Sequence, residues 1–257
     1  MSVLKAFFIA FSIYSKIPVP QFEWREGDMK YMLCFFPWVG IVTGILVYGW
    51  GMLCKAYQTG EFCYILVGAA IPLLVTGGFH MDGFMDTMDA FHSYQPRERK
   101  LEILKDSHIG AFSVIMLVSY GLLYLASFSQ ISDERLLRIA AAGFFLSRVL
   151  GGISLVLFPK AKKDGLAYLF AGSAQKKIVT GTLALQGMVC IFFILWTDLF
   201  AGIVIFLAAM LVFGYYYWKS KKELGGITGD TTGYFIVICE GAVMIASAII
   251  NTLWIQG

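Results

Sequence analysis

Apolar residues recur along this chain in runs long enough to cross a bilayer, and short polar stretches separate them. A helix needs about 20 mostly apolar residues to span the hydrocarbon core. Seven runs approach that length: residues 33–53, 62–79, 111–128, 139–158, 178–196, 199–218 and 234–254. Trp38 and Trp50 lie towards the two ends of the first, where interfacial aromatics belong. The second run closes on Gly77-Gly78, a pair that predicts a break or bend in the helix. An eighth apolar stretch, Leu4 to Ile17, is shorter and interrupted by Lys5, Ser12, Ser15 and Lys16. It lacks a small-residue cleavage site and runs into Pro18-Val19-Pro20, so it reads as an interfacial or re-entrant helix and not a signal peptide. Gln21 to Lys30 reads as a short polar segment. Within residues 80–109, Pro96 suits the first turn of a further short helix. There Arg97, Glu98, Arg99, Lys100, Glu102 and Lys105 surround Leu101, Ile103 and Leu104, as on a solvated or interfacial surface.

Composition supports the membrane reading. The chain is 58% hydrophobic and only 14% charged, whereas soluble domains carry about a quarter charged residues. Open strands cannot satisfy their backbone groups in lipid, so the runs are helices. A net charge of +3 gives no reason to expect nucleic acid. The five cysteines match no metal spacing and predict no disulfide framework.

The placement of charge says more than its sum. One set of segments comprises the amino-terminal part and the loops after the second, fourth and sixth runs. It holds Lys5, Lys16, Arg25, Lys30, Arg97, Arg99, Lys100, Lys105, Lys160, Lys162, Lys163, Lys176, Lys177, Lys219, Lys221 and Lys222. The opposite set holds only Lys55, Arg135 and Arg138. By the positive-inside bias the first set is cytoplasmic and Gly257 lies outside. The expected fold is therefore an all-α, polytopic helical membrane protein. It has about seven transmembrane helices, an amino-terminal interfacial or re-entrant helix and a cytoplasmic helical loop, in one domain over residues 1–257. The expected location is the cell's inner (cytoplasmic) membrane, multi-pass, with membrane lipid around it; self-association as a homo-oligomer stays open.

The chemistry concentrates in GGFHMDGFMDTMDAFHSYQPRERKLEILKDSHIG, residues 77–110, which hold all three histidines. Asp82, Asp86 and Asp89 stand at i, i+4 and i+7, on one narrow face if the segment is helical. Stacked like charges repel. A hard divalent cation such as Mg²⁺ relieves that repulsion and takes oxygen ligands. A merely solvated acidic face is the competing account, but Phe79, Met81, Phe84, Met85, Met88 and Phe91 are interleaved with the acids. His80 falls opposite Asp82 on a continuous helix, unless it sits on the bend. His92 and His108 read as polar loop residues. Lys105-Asp106-Ser107, closing with Gly110, forms a polar turn in which Asp106 is a further candidate ligand and Lys105 a phosphate partner.

On the same side lies Gly225-Gly226-Ile227-Thr228-Gly229-Asp230-Thr231-Thr232-Gly233, ahead of the last run. Glycines there admit an anion to backbone N–H groups, and a helix start favours negative charge. A flexible connector with capping threonines is the other reading. Asp230 is a further candidate metal ligand or hydroxyl-orienting group. Arg148 and Glu240 lie inside apolar runs, where charges are costly. They read either as a structural ion pair or as contacts to a substrate.

GGFHMDGFMDTMDAF, LEILKDSHIGAF and LGGITGDTTG followed by Glu240 resemble the cobalamin-5′-phosphate synthase (adenosylcobinamide-GDP ribazoletransferase) family. Lys16-Ile17-Pro18-Val19-Pro20 and Ser147-Arg148 add to the likeness, which covers essentially the whole chain. The family's acidic motif commonly reads H-L-D-G-L-A-D-T-x-D-G. This chain departs at Met81, Phe84, Met85 and Ala90, and has His108 where the family often has Arg. The resemblance implies a Mg²⁺-dependent membrane transferase. It would join adenosylcobinamide-GDP to α-ribazole or its 5′-phosphate, releasing GMP. On that implication Asp82, Asp86 and Asp89 bind metal, and one of them or Asp106 takes the proton of the attacking hydroxyl. His80, Lys105, Ser107, Arg148, Thr228, Gly229, Asp230, Thr231 and Glu240 contact substrate. Two other classes stay in view. The CDP-alcohol phosphotransferases use similar chemistry, but their D-G-x-x-A-R is absent, since Asp86 and Thr87 occupy the A-R positions. A cation transporter would place Arg148 and Glu240 on its route.

Overall fold

The apolar runs become helices whose backbone bonds close within each segment, as lipid requires. The computed structural model describes residues 3–20, 26–162 and 165–255. Six helices are long and apolar enough to span a membrane: α2 (Phe36–Tyr57), α6 (Ala111–Ser129), α7 (Glu134–Leu157), α9 (Lys176–Thr197), α10 (Leu199–Leu224) and α11 (Gly229–Ile250). A seventh span is counted when α3 (Glu61–Thr76) is taken with α4 (Phe79–His92), from which it is bent by 91°. The amino-terminal helix α1 (Val3–Tyr14) is apolar but short, and a 3-10 segment, Glu26–Cys34, joins it to α2. Two further short helices, α5 (Arg97–Ile103) and α8 (Leu166–Ser173), lie between spans. Among the described residues there is no strand, only one isolated bridge.

α7 and α11 form the centre, with 83% and 78% of their apolar windows buried. α9 and α10 are 28% buried and turn Leu185, Phe192, Leu207 and Leu211 outward, as lipid-facing helices do. Without a hydrophobic force between helices, close backbone approach carries the packing. Gly40 and Gly44 of α2 stand against the Phe144 and Ala141 carbonyls of α7, so closely that a Cβ on either would collide with backbone.

The helix ends sort into two groups. At one end Trp50 Nε1 donates to Tyr64 O (3.0 Å), Tyr64 OH to Ile131 O (3.0 Å), and Asp133 N to Asn251 Oδ1 (3.2 Å). At the other, Lys16 N donates to Val75 O (2.8 Å), Lys100 pairs with Glu223 (2.5 Å), and Ala161 N donates to Ile227 O (2.9 Å). This second end gathers the segments assigned above to the basic side. Arg25 and Lys163 of that set, and Gly257 of the other, lie outside the described residues.

Several helices reach beyond the apolar runs that announced them. Asp133 caps α7 by accepting from Arg135 N and Leu136 N, so Arg135 and Arg138 belong to the helix and not to a loop. α10 continues to Leu224, where Gly225 takes the left-handed conformation (φ 76°). Lys219, Lys221 and Lys222 thus ride the last turns, Lys221 and Lys222 where the helix dipole favours cations. α11 starts at Gly229, so much of the glycine-rich stretch is its first turn. α8 had no announcing pattern. Lys100, read as surface, is buried beside Glu223.

Candidate active site

The bend that makes the site rests on Gly77 (φ 62°) and Gly78 (φ 77°), two successive residues in a region that L side chains seldom adopt. They swing α4 away from α3 and across the end of the bundle. α4 then meets α11 at two glycines. A Cβ on Gly83 would lie 2.8 Å from Asp230 O, and one on Gly233 3.0 Å from His80 O. That proximity brings the aspartate helix to the first turn of α11.

Between them opens a cavity of about 280 Å³. Its polar lining includes Asp82, Lys105, Lys160, Lys162, Thr228, Gly229 and Asp230. An aromatic group, Tyr14, Phe36, Phe79, His80, Tyr168 and Phe170, completes much of the rest. Tyr14 packs 4.2 Å from Phe36 and 6.2 Å from His80 between ring centroids, so α1 serves as part of the wall. Of the residues singled out in the sequence, His80, Asp82, Lys105, Thr228, Gly229 and Asp230 meet here.

Asp86 lies one turn beyond Asp82. Burial first, then the charges of Asp82, Asp230 and Asp89, push its carboxyl up to about 6. Carboxylates crowded in this way favour a proton or a cation. Among the described residues no group of three or more His, Cys, Asp or Glu is arranged to hold a metal by itself. The donor chemistry nevertheless fits Mg²⁺, which commonly takes one or two carboxylates and completes its shell with water and substrate phosphate.

Asp89 has other work. It accepts from Gly110 N (2.7 Å) and Ser113 N (2.9 Å), capping α6 from the neighbouring helix. The three aspartates of the stripe share one helix, α4, and Asp89 is in addition engaged by the start of α6. Asp106 is exposed and bound within its own turn, accepting from His108 N (3.0 Å) with the His108 ring at 2.6 Å. Ser107 is exposed as well, and neither lines the cavity. Thr228 and Thr231 form a reciprocal capping box: Thr231 N donates to Thr228 Oγ1 (3.1 Å) and Thr228 N to Thr231 Oγ1 (2.8 Å). Thr231 is thereby buried, while Thr228 Oγ1 also reaches Asp230 Oδ2 at 3.3 Å.

Arg148 and Glu240 make the ion pair, at 2.5 Å, with Ser147 Oγ donating to Glu240 at 3.1 Å. They border a second, mostly apolar cavity of about 260 Å³ between α3, α6 and α11. Among the described residues, His80 alone touches both cavities. Its Nε2 has no partner among the described residues. Sequence reasoning did not assign Tyr14, Phe36, Lys160, Lys162, Tyr168 or Phe170 to the site. The lysines mark sidedness in the sequence and carry no local sign of a site, and nothing local marks the aromatics, which come from distant segments.

The fold and the cavity define a polytopic helical membrane protein with an acidic, lysine-flanked candidate active site where the basic helix ends gather. The chain belongs to the cobalamin-5-phosphate synthase family, whose model matches residues 6–248. It is 40% identical over 254 residues to the adenosylcobinamide-GDP ribazoletransferase of Lachnoclostridium phytofermentans, covering 97% of each chain. A Clostridium perfringens protein of the same name is 32% identical over 240 residues, 92% of this chain and 94% of its own. One from Listeria monocytogenes is 30% identical over 236 residues, 90% and 92%. No solved structure gives a match.

Proposed function

We propose that this chain joins adenosylcobinamide-GDP to α-ribazole or its 5′-phosphate and releases GMP, at the cavity between α4 and α11. The likeness to relatives named for this reaction supports the substrates. The observation that carries the assignment to this site is the meeting of Asp82 and Asp86 with Asp230 beside Lys105, Lys160 and Lys162. The ribazole hydroxyl attacks the corrinoid-side phosphorus of the diphosphate. A new P–O bond forms, the bridging P–O bond breaks, and GMP leaves with the bridging oxygen. A carboxylate of the cluster takes the hydroxyl proton. One or two of Asp82, Asp86 and Asp230 would hold Mg²⁺ together with water and substrate phosphate, and the ion would supply charge neutralisation on the phosphoryl oxygens. Thr228, Gly229 and the start of α11 orient the phosphates.

The same reading puts the cavity on the cytoplasmic face of the cell membrane, where a nucleotide-linked substrate is made available. The test is GMP release from adenosylcobinamide-GDP and α-ribazole by purified protein in vesicles, with Mg²⁺ varied. Turnover that needs both substrates and the cation is expected. Ion flux across the vesicles with no GMP release would return the transporter reading.

A further inference from the structure

After α7 the chain leaves the helix at Phe158 and runs extended beside the glycine-rich turn. Ile227 N donates to Pro159 O at 2.8 Å and Ala161 N to Ile227 O at 2.9 Å, making a parallel bridge at Lys160. The two strips are pressed together at Gly226, where a Cβ would lie 2.7 Å from Ala161 N. Lys160, on the bridge, and Lys162, just past the bend at Ala161, both line the cavity. Their place is set by a main-chain tie to the very turn that presents Thr228 and Asp230.

Lys160 is partly buried, and its ammonium donates to Phe158 O at 2.7 Å and Ser154 O at 3.4 Å. Both partners are neutral carbonyls, and among the described residues no carboxylate pairs with it. Burial, then the Lys176 charge, pulls it down to about 8. A cation held this way in a cavity wall gains from an anion placed in the cavity. Lys162 stands close enough to Asp86 for its charge to act there, so it bridges the acidic and basic parts of the wall.

We propose that Lys160 and Lys162 form an anion clamp that holds the diphosphate of the substrate beside the aspartates. The proposal deepens the reading of this cavity as the transfer site and rests on it. Lysine binds phosphate as a point charge on a flexible stem. Two such charges suit the two phosphoryl groups, and the main-chain bridge limits how far they can spread.

The test uses purified protein in vesicles and inorganic diphosphate in metal-free buffer, with affinity measured by calorimetry. Lys160→Met and Lys162→Met should each weaken binding about tenfold or more, and Lys→Arg at either position should restore most of it. In GMP release, KM for adenosylcobinamide-GDP should rise more than kcat falls. Mg²⁺ binding by Lys162→Met should not weaken, since a competing cation has been removed. Wild-type diphosphate affinity and KM in the double Met variant would overturn the clamp. So would Met and Arg variants that lose thermal stability together while affinity is unchanged, which assigns the lysines to the chain tie alone. If the clamp variants lose diphosphate as expected but the wild-type protein releases no GMP, the proposed reaction fails and the clamp stands.

Discussion

At the scale of residues, aspartates that look equivalent in sequence carry different loads. Asp82→Asn, Asp86→Asn and Asp230→Asn should each cut GMP release by about a hundredfold or more, the usual loss when a preorganised electrostatic group goes. Their melting temperatures should hold or rise, because like charges have been thinned. Asp89→Ala should instead destabilise by about 1 kcal/mol, as losing a helix cap does. Asp89→Asn, whose single amide oxygen can replace one of the two acceptors for Gly110 N and Ser113 N, should keep part of the cap and more activity than the other three. A collapse of Mg²⁺ dependence in a stably folded Asp89→Asn protein would return that residue to the metal set. The pH response has a definite sign. Asp86 stands near 3.8 when unperturbed and about 6 in the fold. Its proton therefore stabilises the native state below the unfolded value, and that contribution is lost as pH rises through about 6. Without metal, melting temperature should fall across this window, Mg²⁺ should reverse the fall, and Asp86→Asn should remove it. A rise over the same window in metal-free protein would contradict carboxylate crowding.

At the scale of elements, the site depends on how α4 lies against α11. Gly83 has no room for a methyl group, because the Asp230 backbone is 2.8–3.0 Å from where a Cβ would sit. Gly83→Ala should force the helices apart, costing about 1–3 kcal/mol as overpacking does, and should lower GMP release beyond what the stability loss explains. Gly121→Ala, where nothing lies within 4 Å, is the matched control and should be near neutral. Thermal unfolding in detergent beside activity reads both effects. Equal behaviour of the two variants would mean that the α4–α11 approach does not set the site.

For the whole molecule, sidedness is the measurable consequence. With the exposed Cys63 replaced by serine, a cysteine at Gln130 should react with a membrane-impermeant reagent on intact cells. One at Lys105 or Lys222 should react only after the cells are opened. The reverse pattern would turn the cavity to the outside. Loops at the cavity end are tied to one another by main-chain bonds such as Gln175 N to Lys30 O at 3.1 Å. Segments assigned together by their charge thus also meet in space.

Much of this was legible in the linear pattern because lipid imposes one rule everywhere: apolar runs must close their own backbone bonds. The spans, the uneven lysine and arginine distribution, the break at Gly77-Gly78 and the family follow from local composition and motif. Helix ends were less legible. Polar first turns such as Glu134–Arg138, or the lysines ending α10, satisfy capping and dipole needs that hydropathy does not register. Asp82, Asp86 and Asp89 share a spacing, yet only the neighbour each one meets separates a cavity carboxylate from a cap on α6. Lys160 and Lys162, Tyr14 and Phe170 enter the site from segments far apart in the chain. Their convergence depends on a 91° bend, on two glycines without side chains, and on one parallel bridge. By itself the sequence determined the membrane class, the expected sidedness and the reaction family, because these depend on properties each segment carries alone. Only the tertiary structure decided which charges face one another, because that depends on the close packing of helices distant in sequence.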